Sequence, residues 1–327
     1  MINVALSIHD PKGTYARHAG VVIASVLQNT DAEVRFYILH DETLTEENRA
    51  KLMCAAKLPI AKSDMRQHGD IEFIDVAQKF ALYTGVGLNA YCGKFTIGAL
   101  YRLTLPDIMP NLNKVLYLDC DLVVAVNVEQ LWQLDMAGRS LAGVLSDRSK
   151  PFPNLNVPKN EITLNRYRYS NERYINSGVL LMDLLKMRRG LENGDLLLNK
   201  AVSYIQSYKP MLPDEAFLNA EYLADILYLD PKYNTDPTDE IFDDILGLER
   251  IWHFGGHLKP WDAFTGTNAD MLYWKYLVLT PWKDELWGAL FAAATNDKYY
   301  HRHSCGCVKR LKTQIIEEIK NALKFKK

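Results

Sequence analysis

The strongest constraint on the fold is a regular alternation of short apolar runs with longer segments of helical spacing. "NVALSI" and "EVRFYILH" read as strands, and between them "YARHAGVVIASVLQNT" repeats its apolar residues at helical intervals. "DETLTEENRAKLMCAAK" follows, with Thr43 and Glu46 at capping-box spacing, so a helix start is expected there. "DIEFIDV" is a third strand, "NAYCGKFTIGALYRLTLPDIMP" a helix stopped by Pro106, "KVLYLD" a fourth strand and "SLAGVLSD" a fifth. Strands separated by helices need crossover connections. The arrangement that buries them is a mostly parallel sheet with helices on both faces, an α/β class.

After about residue 150 the pattern changes. "RSKPFPNLNVPKNE" is rich in Pro and Asn and reads as loop; "INSGVLLMDLLKMRR" is strand then helix, "LLLNKAVSYIQSY" a helix, and "DILYLDPKYN" a strand into a turn. With hydrophobic residues at 48% a sizeable core is expected. The longest apolar run, "LWGALFAAAT", is sized for a core helix and is too short to span a bilayer. The start, "MINVALSIHD", lacks a basic region and a cleavage pattern, so no signal peptide is expected. Five scattered cysteines fit a reducing compartment better than a disulfide frame.

Charge is uneven. Residues 298–327 hold nine Lys/Arg against two Glu, leaving 29 basic and 38 acidic residues elsewhere. A basic tail on an acidic body points to an anionic surface as partner for the tail, not to nucleic-acid binding by the whole chain. Within that tail Leu311, Ile315, Ile316, Ile319 and Leu323 form one helical stripe ringed by Lys, which predicts an amphipathic helix over 311–325. Just before it, His301, His303, Cys305 and Cys307 in "HRHSCGC" are candidate zinc ligands. Their strict alternation differs from the wider spacing of structural zinc sites, and a plain linker is the other reading.

Three stretches carry chemistry. In "NKVLYLDCDLVV", Asp119 and Asp121 flank Cys120 at the end of an apolar strand. If the strand continues, residues i and i+2 share a face and the two carboxylates converge where α/β sheets bind ligands. Paired hard oxygen donors suit Mg²⁺ or Mn²⁺, and the cation would relieve their repulsion. An Asp-x-Asp alone also reads as a turn cap with its neighbour in water. "WHFGGHLKPW" offers His253 as an imidazole ligand, Gly255 and Gly256 for close approach of a phosphate, and Lys259 for its charge. A turn holding a satisfied buried histidine fits the same spacing. "LPDEAFLN" places Asp214 and Glu215 at an expected helix start after Pro213, where acids also serve the helix dipole.

In that order along roughly residues 1–280, "VALSIHD…TYARHAGVVIASVLQNT", "ALYRLTLPDIMPNLNKVLYLDCDLVV", "YINSGVLLMDL", "PDEAFLN" and "HFGGHLKPW" resemble glycosyltransferase family 8. The resemblance implies a GT-A fold, with a donor-binding half over about 1–150 and an acceptor and catalytic half over about 151–280; beyond it, the basic charge and the apolar stripe predict a membrane-associating tail over 281–327. It implies a retaining hexosyltransferase using UDP-galactose or UDP-glucose and a glycan or lipid-linked acceptor, as in bacterial lipopolysaccharide synthesis. Such an enzyme would sit in the cytoplasm against the inner face of the cell membrane. Asp119, Asp121 and His253 would hold Mn²⁺, or Mg²⁺. Ser7, His9 and Tyr15 would lie along the uridine, and Cys120 between the two carboxylates would line the donor site. Arg102, Asn176, Gly178, Gly256 and Lys259 would border diphosphate or sugar, and Asp214 and Glu215 would face the anomeric carbon. Two departures stand out. His9 replaces an Asp common in bacterial members, within a longer first loop, and Glu215 follows Asp214 where many members carry Gln. Two alternatives remain from the residues: a haloacid-dehalogenase-type phosphatase using Asp119 and Asp121, and a sugar-nucleotide-binding protein without catalysis.

Overall fold

The computed structural model describes residues 1–58, 69–81, 96–146, 174–191, 195–210, 212–237, 245–255, 259–262 and 268–295. The expected loop over 148–161, the zinc candidates at 301–307 and the expected helix over 311–325 lie outside them, as does Gly256.

Nine strands are present among the described residues: β1 Ile2–Ile8, β2 Val34–His40, β3 Asp70–Asp75, β4 Lys114–Leu118, β5 Leu122–Val124, β6 Leu141–Leu145, β7 Ile175–Asp183, β8 Ile226–Tyr228 and β9 Ile251–His253. Seven form one sheet in the order β3-β2-β1-β4-β7-β6-β8, and β5 pairs with β9 in a second, small sheet. The expected parallel block is there: β3, β2, β1 and β4 run together, and β6 pairs β8 in parallel. Strand β7 opposes both of its neighbours. Its reversal matters, because it carries the amino end of β7 to the carboxyl end of β4, with Leu118 opposite Val179.

Alternation along the strands builds a core on each face. Val4, Leu6, Leu116 and Leu118 join one layer with helix Ala16–Asn29 (α1) and helix Asn268–Leu277. Ala5, Val115 and Tyr117 join the other with Tyr101, Phe217 and helix Leu197–Tyr208. Helix α1 is buried along most of its length, and Gly20 within it lies under the Trp282 ring, where a Cβ would meet the indole at 2.7 Å.

Several local expectations shift. Helix Glu46–Ala56 (α2) is capped by Thr45, whose side chain accepts from Asn48 N at 3.2 Å, not by Thr43. Pro106 does not stop a helix; it sits in the first turn of a short helix, Leu105–Ile108, that continues a 3-10 segment, Ile97–Thr104. Proline is tolerated there because a first-turn N–H has no intrahelical partner. Helix Glu285–Thr295 is not a core helix throughout, for Trp287 and Phe291 stand 69% and 71% exposed. Among the described residues no helix is long and apolar enough to cross a membrane.

Candidate active site

The two carboxylates do converge, though not along a continuous strand. β4 ends at Leu118 and β5 begins at Leu122, so Asp119, Cys120 and Asp121 form the turn between the two sheets. Asp119 N donates to Gly178 O (2.8 Å), and Asp121 O accepts from Phe254 N (2.9 Å), which ties the turn to β7 on one side and to the end of β9 on the other. Cys120 points inward, with Sγ 3.3 Å from Ser7 O. Pairing of Leu122 with His253 then sets the histidine beside Asp121.

Each carboxylate has distinct company. Asp119 Oδ1 accepts from Arg102 Nη2 (2.7 Å) and from the Tyr117 hydroxyl (3.0 Å). Arg102 is buried, lies over the Tyr117 ring, donates to Ser177 O and Ala99 O, and pairs with Asp214 at 3.3 Å. Asp121 Oδ2 accepts from Lys259 Nζ (2.7 Å), and Oδ1 faces His253 Nε2 at 3.1 Å with no hydrogen bond from any other group among the described residues. Burial pushes both carboxyl pKa values up. At Asp121, His253 and Lys259 overcome that effect and the pKa falls well below the carboxylate range. At Asp119, burial and the neighbouring Asp121 outweigh Arg102, and the pKa is raised. Burial lowers the pKa of His253, but the charge and hydrogen bonding of Asp121, with the charge of Asp119, carry it above the ordinary value.

Asp119, Asp121 and His253 each offer one ligand atom, all within 4.8 Å of one another. The donor set is two carboxylates and an imidazole, which suits a divalent ion such as Mn²⁺. The fit is chemical as well as spatial. His253 Nδ1 is engaged by Asn234 Oδ1 (2.9 Å), so in the neutral ring the lone pair on Nε2 faces the Asp121 oxygen. Two acceptors that close call for a cation between them, a proton or a metal.

A second group lies at the carboxyl ends of β1 and β2. Ser7 is buried there, and His9 Nδ1 donates to Asp41 Oδ2 (2.5 Å), a bond that raises the His9 pKa. Asp41 also accepts from the Tyr101 and Thr43 hydroxyls, and burial is outweighed so that its pKa lies well below the usual range. Asp10 caps the chain into α1 by accepting from Tyr15 N and Ala16 N. Tyr15 itself is exposed at the rim.

Asp214 and Glu215 open helix Pro213–Glu221 and are both 6% exposed. Asp214 accepts from the Ser177 hydroxyl (3.1 Å), and Glu215 Oε2 from Ser177 N (2.9 Å) and Asn176 Nδ2 (3.2 Å). Burial, ahead of Asp214's charge, raises the Glu215 pKa to about 7 despite the Ser177 bond. The structure thus brings Arg102, Asp119, Asp121, Asn176, Gly178, His253, Lys259, Asp214 and Glu215 into one connected cluster, with Ser7 joined to it through Cys120.

Sequence reasoning missed Asp41 and Asn234. Asp41 could have been found, since it follows β2 as Asp119 follows β4, at the same edge of the sheet. Asn234 ends "DPKYN", and only the bridge that pairs Thr235 with Trp252 places it by His253.

Comparison with known proteins follows the same outline. The sequence profile described as "Glycosyl transferase family 8" matches residues 10–265. "General stress protein A" of Bacillus subtilis (strain 168) is 26% identical over 82% of this chain and 91% of its own length. "Lipopolysaccharide 1,2-glucosyltransferase" of Escherichia coli (strain K12) is 28% identical over 53% of this chain and 52% of its own. The crystal structure of galactosyltransferase LgtC in complex with donor and acceptor sugar analogs superposes with a TM-score of 0.63 at 24% identity, covering 86% of this chain and 96% of that one; the likeness shows the fold.

Proposed function

The chain belongs to glycosyl transferase family 8 and has a GT-A fold, and from that premise we propose that it moves a hexose, galactose or glucose, from a UDP-sugar to a glycan or lipid-linked acceptor with net retention. The phosphatase alternative for Asp119 and Asp121 falls with that membership. The reading rests on one observation: the Asp121 oxygen and the His253 nitrogen face each other at 3.1 Å with Asp119 in reach, a site that fits Mn²⁺ or Mg²⁺.

A divalent ion held by Asp119, Asp121 and His253 would supply Lewis-acid neutralisation of the departing diphosphate. The remaining work belongs to the side chains. Arg102 holds one face of Asp119, leaving the other for the ligand. Lys259, paired with Asp121, is placed to trade that carboxylate for phosphate oxygens, a preorganised positive charge where negative charge develops. Ser7, His9 and Tyr15 lie along the uridine, with His9 aimed by Asp41. Cys120 backs the turn, and Gly178 gives room to the His253 ring, which a Cβ there would meet at 2.4 Å.

Asp214 and Glu215 face the sugar. Glu215 Oε2 is already held by a backbone N–H and an amide, so using it as a nucleophile would sacrifice two donors. The better-supported course is departure of UDP and attack by the acceptor on the same face, with Glu215 stabilising oxocarbenium charge and Asp214 orienting the sugar hydroxyls. The acceptor would belong to a bacterial surface polysaccharide, met at the cytoplasmic face of the membrane.

UDP release across a panel of UDP-sugars with Mn²⁺ present tests the proposal. Turnover is expected with a hexose donor, lost in excess EDTA and in Asp121→Asn with the fold retained. Full activity in EDTA would refute the metal role, and donor binding without turnover across several acceptors would favour the non-catalytic reading.

A further inference from the structure

Resting on the metal reading above, we propose that Asn234 is a positioning residue that fixes the tautomer of His253, and that the orientation it enforces originates in one backbone amide, Gly178 N–H. The argument follows donors and acceptors in turn. Gly178 N lies 2.9 Å from the Asn176 side-chain amide, and an N–H can only donate, so the atom facing it is Asn176 Oδ1. The same oxygen meets Asn234 at 2.8 Å, so Asn234 must present Nδ2 there. Asn234 is left with Oδ1 toward His253, 2.9 Å from Nδ1. An amide oxygen only accepts, so Nδ1 carries the hydrogen, and the neutral ring keeps its lone pair on Nε2, the atom that faces Asp121.

The fold holds each link. Gly178 and Asn176 lie on β7, while His253 N donates to Thr235 O at 2.8 Å, next to Asn234. Asn176 spends its own Nδ2 on Glu215 Oε2, so a single string of amides joins the carboxylate that faces the sugar to the imidazole of the metal site. A ligand histidine whose other nitrogen is held by a hydrogen bond is set in tautomer and ring angle, and loss of such a partner weakens metal binding roughly 10- to 100-fold.

The test uses full-length protein labelled with ¹⁵N-histidine, with His253 assigned by its loss in His253→Gln. In metal-free wild type, at a pH where the ring is neutral, the spectrum is expected to show a protonated Nδ1 and an unprotonated Nε2. Asn234→Leu should move the proton toward Nε2 or mix the tautomers, and should weaken Mn²⁺ binding, followed by electron paramagnetic resonance with UDP present, by roughly 10- to 100-fold. Asn234→Asp keeps an acceptor facing Nδ1, at the cost of an oxygen in place of Nδ2 against Asn176 Oδ1, and should preserve the tautomer, which makes it the informative variant should Asn234→Leu fail to fold. A wild-type ring protonated at Nε2, an unchanged tautomer in Asn234→Leu, or loss of the tautomer in a folded Asn234→Asp would overturn the inference. Absence of Mn²⁺ binding by wild type, with the tautomer shift still seen, would instead overturn the metal reading and leave the role of Asn234 standing.

Discussion

Glu215 is the residue whose environment most conflicts with its chemistry. Its carboxyl titrates at about 7 in the folded chain against an ordinary 4.5, because burial disfavours the anion. The folded value is the higher one, so the folded state binds more protons and stability falls as pH rises from about 4.5 to about 7. Above that window the full cost applies, about 3 kcal/mol at the usual conversion. Glu215→Gln carries no charge and can keep an acceptor for Ser177 N and Asn176. Its urea midpoint, measured in EDTA, should match wild type at the acid end and exceed it increasingly toward pH 8; a constant difference across pH would show that Glu215 does not ionise in that range. In turnover, Glu215→Gln should keep measurable activity and Asp214→Asn should lose more, since Asp214 is bound to Arg102 and Ser177 at the centre of the cluster. A trapped glycosyl-Glu215 adduct in mass spectrometry would reverse that order of roles. Gly178 acts at the same scale through what it lacks. A Cβ there would meet His253 Cε1 at 2.4 Å, against a rigid ring. Gly178→Ala should therefore displace the imidazole and weaken Mn²⁺ binding in a protein that still folds, and unchanged Mn²⁺ affinity would show that the ring has room to move.

At the scale of elements, what was legible in the sequence was local and what was not was pairing. Element types followed from periodicity, and the α/β class with its Asp119, Asp121 and His253 constellation followed from order along the chain. The antiparallel course of β7 was not readable, because "INSGVLLMD" is buried on both faces and carries no mark of direction. Yet that reversal is what delivers Asn176, Ser177 and Gly178 to the carboxyl end of β4. The break between β4 and β5 was equally hidden, since apolar residues flank the turn on both sides. The cap of α2 falls two residues beyond the Thr43 that capping-box spacing predicts, for a different reason. Thr43 and Thr45 both suit a cap, but the Thr43 hydroxyl is engaged by Asp41 Oδ1 (2.5 Å) and Asp10 N (2.7 Å), which leaves Thr45 for the helix. Thr45→Ala should accordingly destabilise the protein by about 1 kcal/mol in denaturant titration, leaving the KM for the donor unchanged. Thr43→Ala should instead raise that KM, by loosening Asp41 and with it His9. An effect of Thr45→Ala on KM larger than that of Thr43→Ala would reverse the assignment.

For the whole molecule the open geometry is between a donor site built on a rigid sheet edge and an acceptor that must reach it. Charge supplies one answer. The region ending in 327 is strongly basic while the remainder is acidic, and the stripe Leu311, Ile315, Ile316, Ile319 and Leu323 with surrounding Lys has the makeup of a helix lying in a lipid interface. Near an anionic leaflet each Lys or Arg contributes on the order of 1 kcal/mol, an attraction that weakens with salt. A lipid-linked acceptor would then be met in two dimensions, with the active site held close to its headgroup. Truncation before residue 309 separates this arrangement from its rival, a helix packed on the domain. If the tail is a membrane element, the truncated protein should stay folded and hydrolyse donor as the full chain does. It should also lose sedimentation with vesicles rich in anionic lipid, a loss that high salt reproduces in the intact protein. Aggregation or a lowered melting temperature on truncation would instead assign the helix to the core, and binding to neutral vesicles as strong as to anionic ones would remove charge as the reason for attachment.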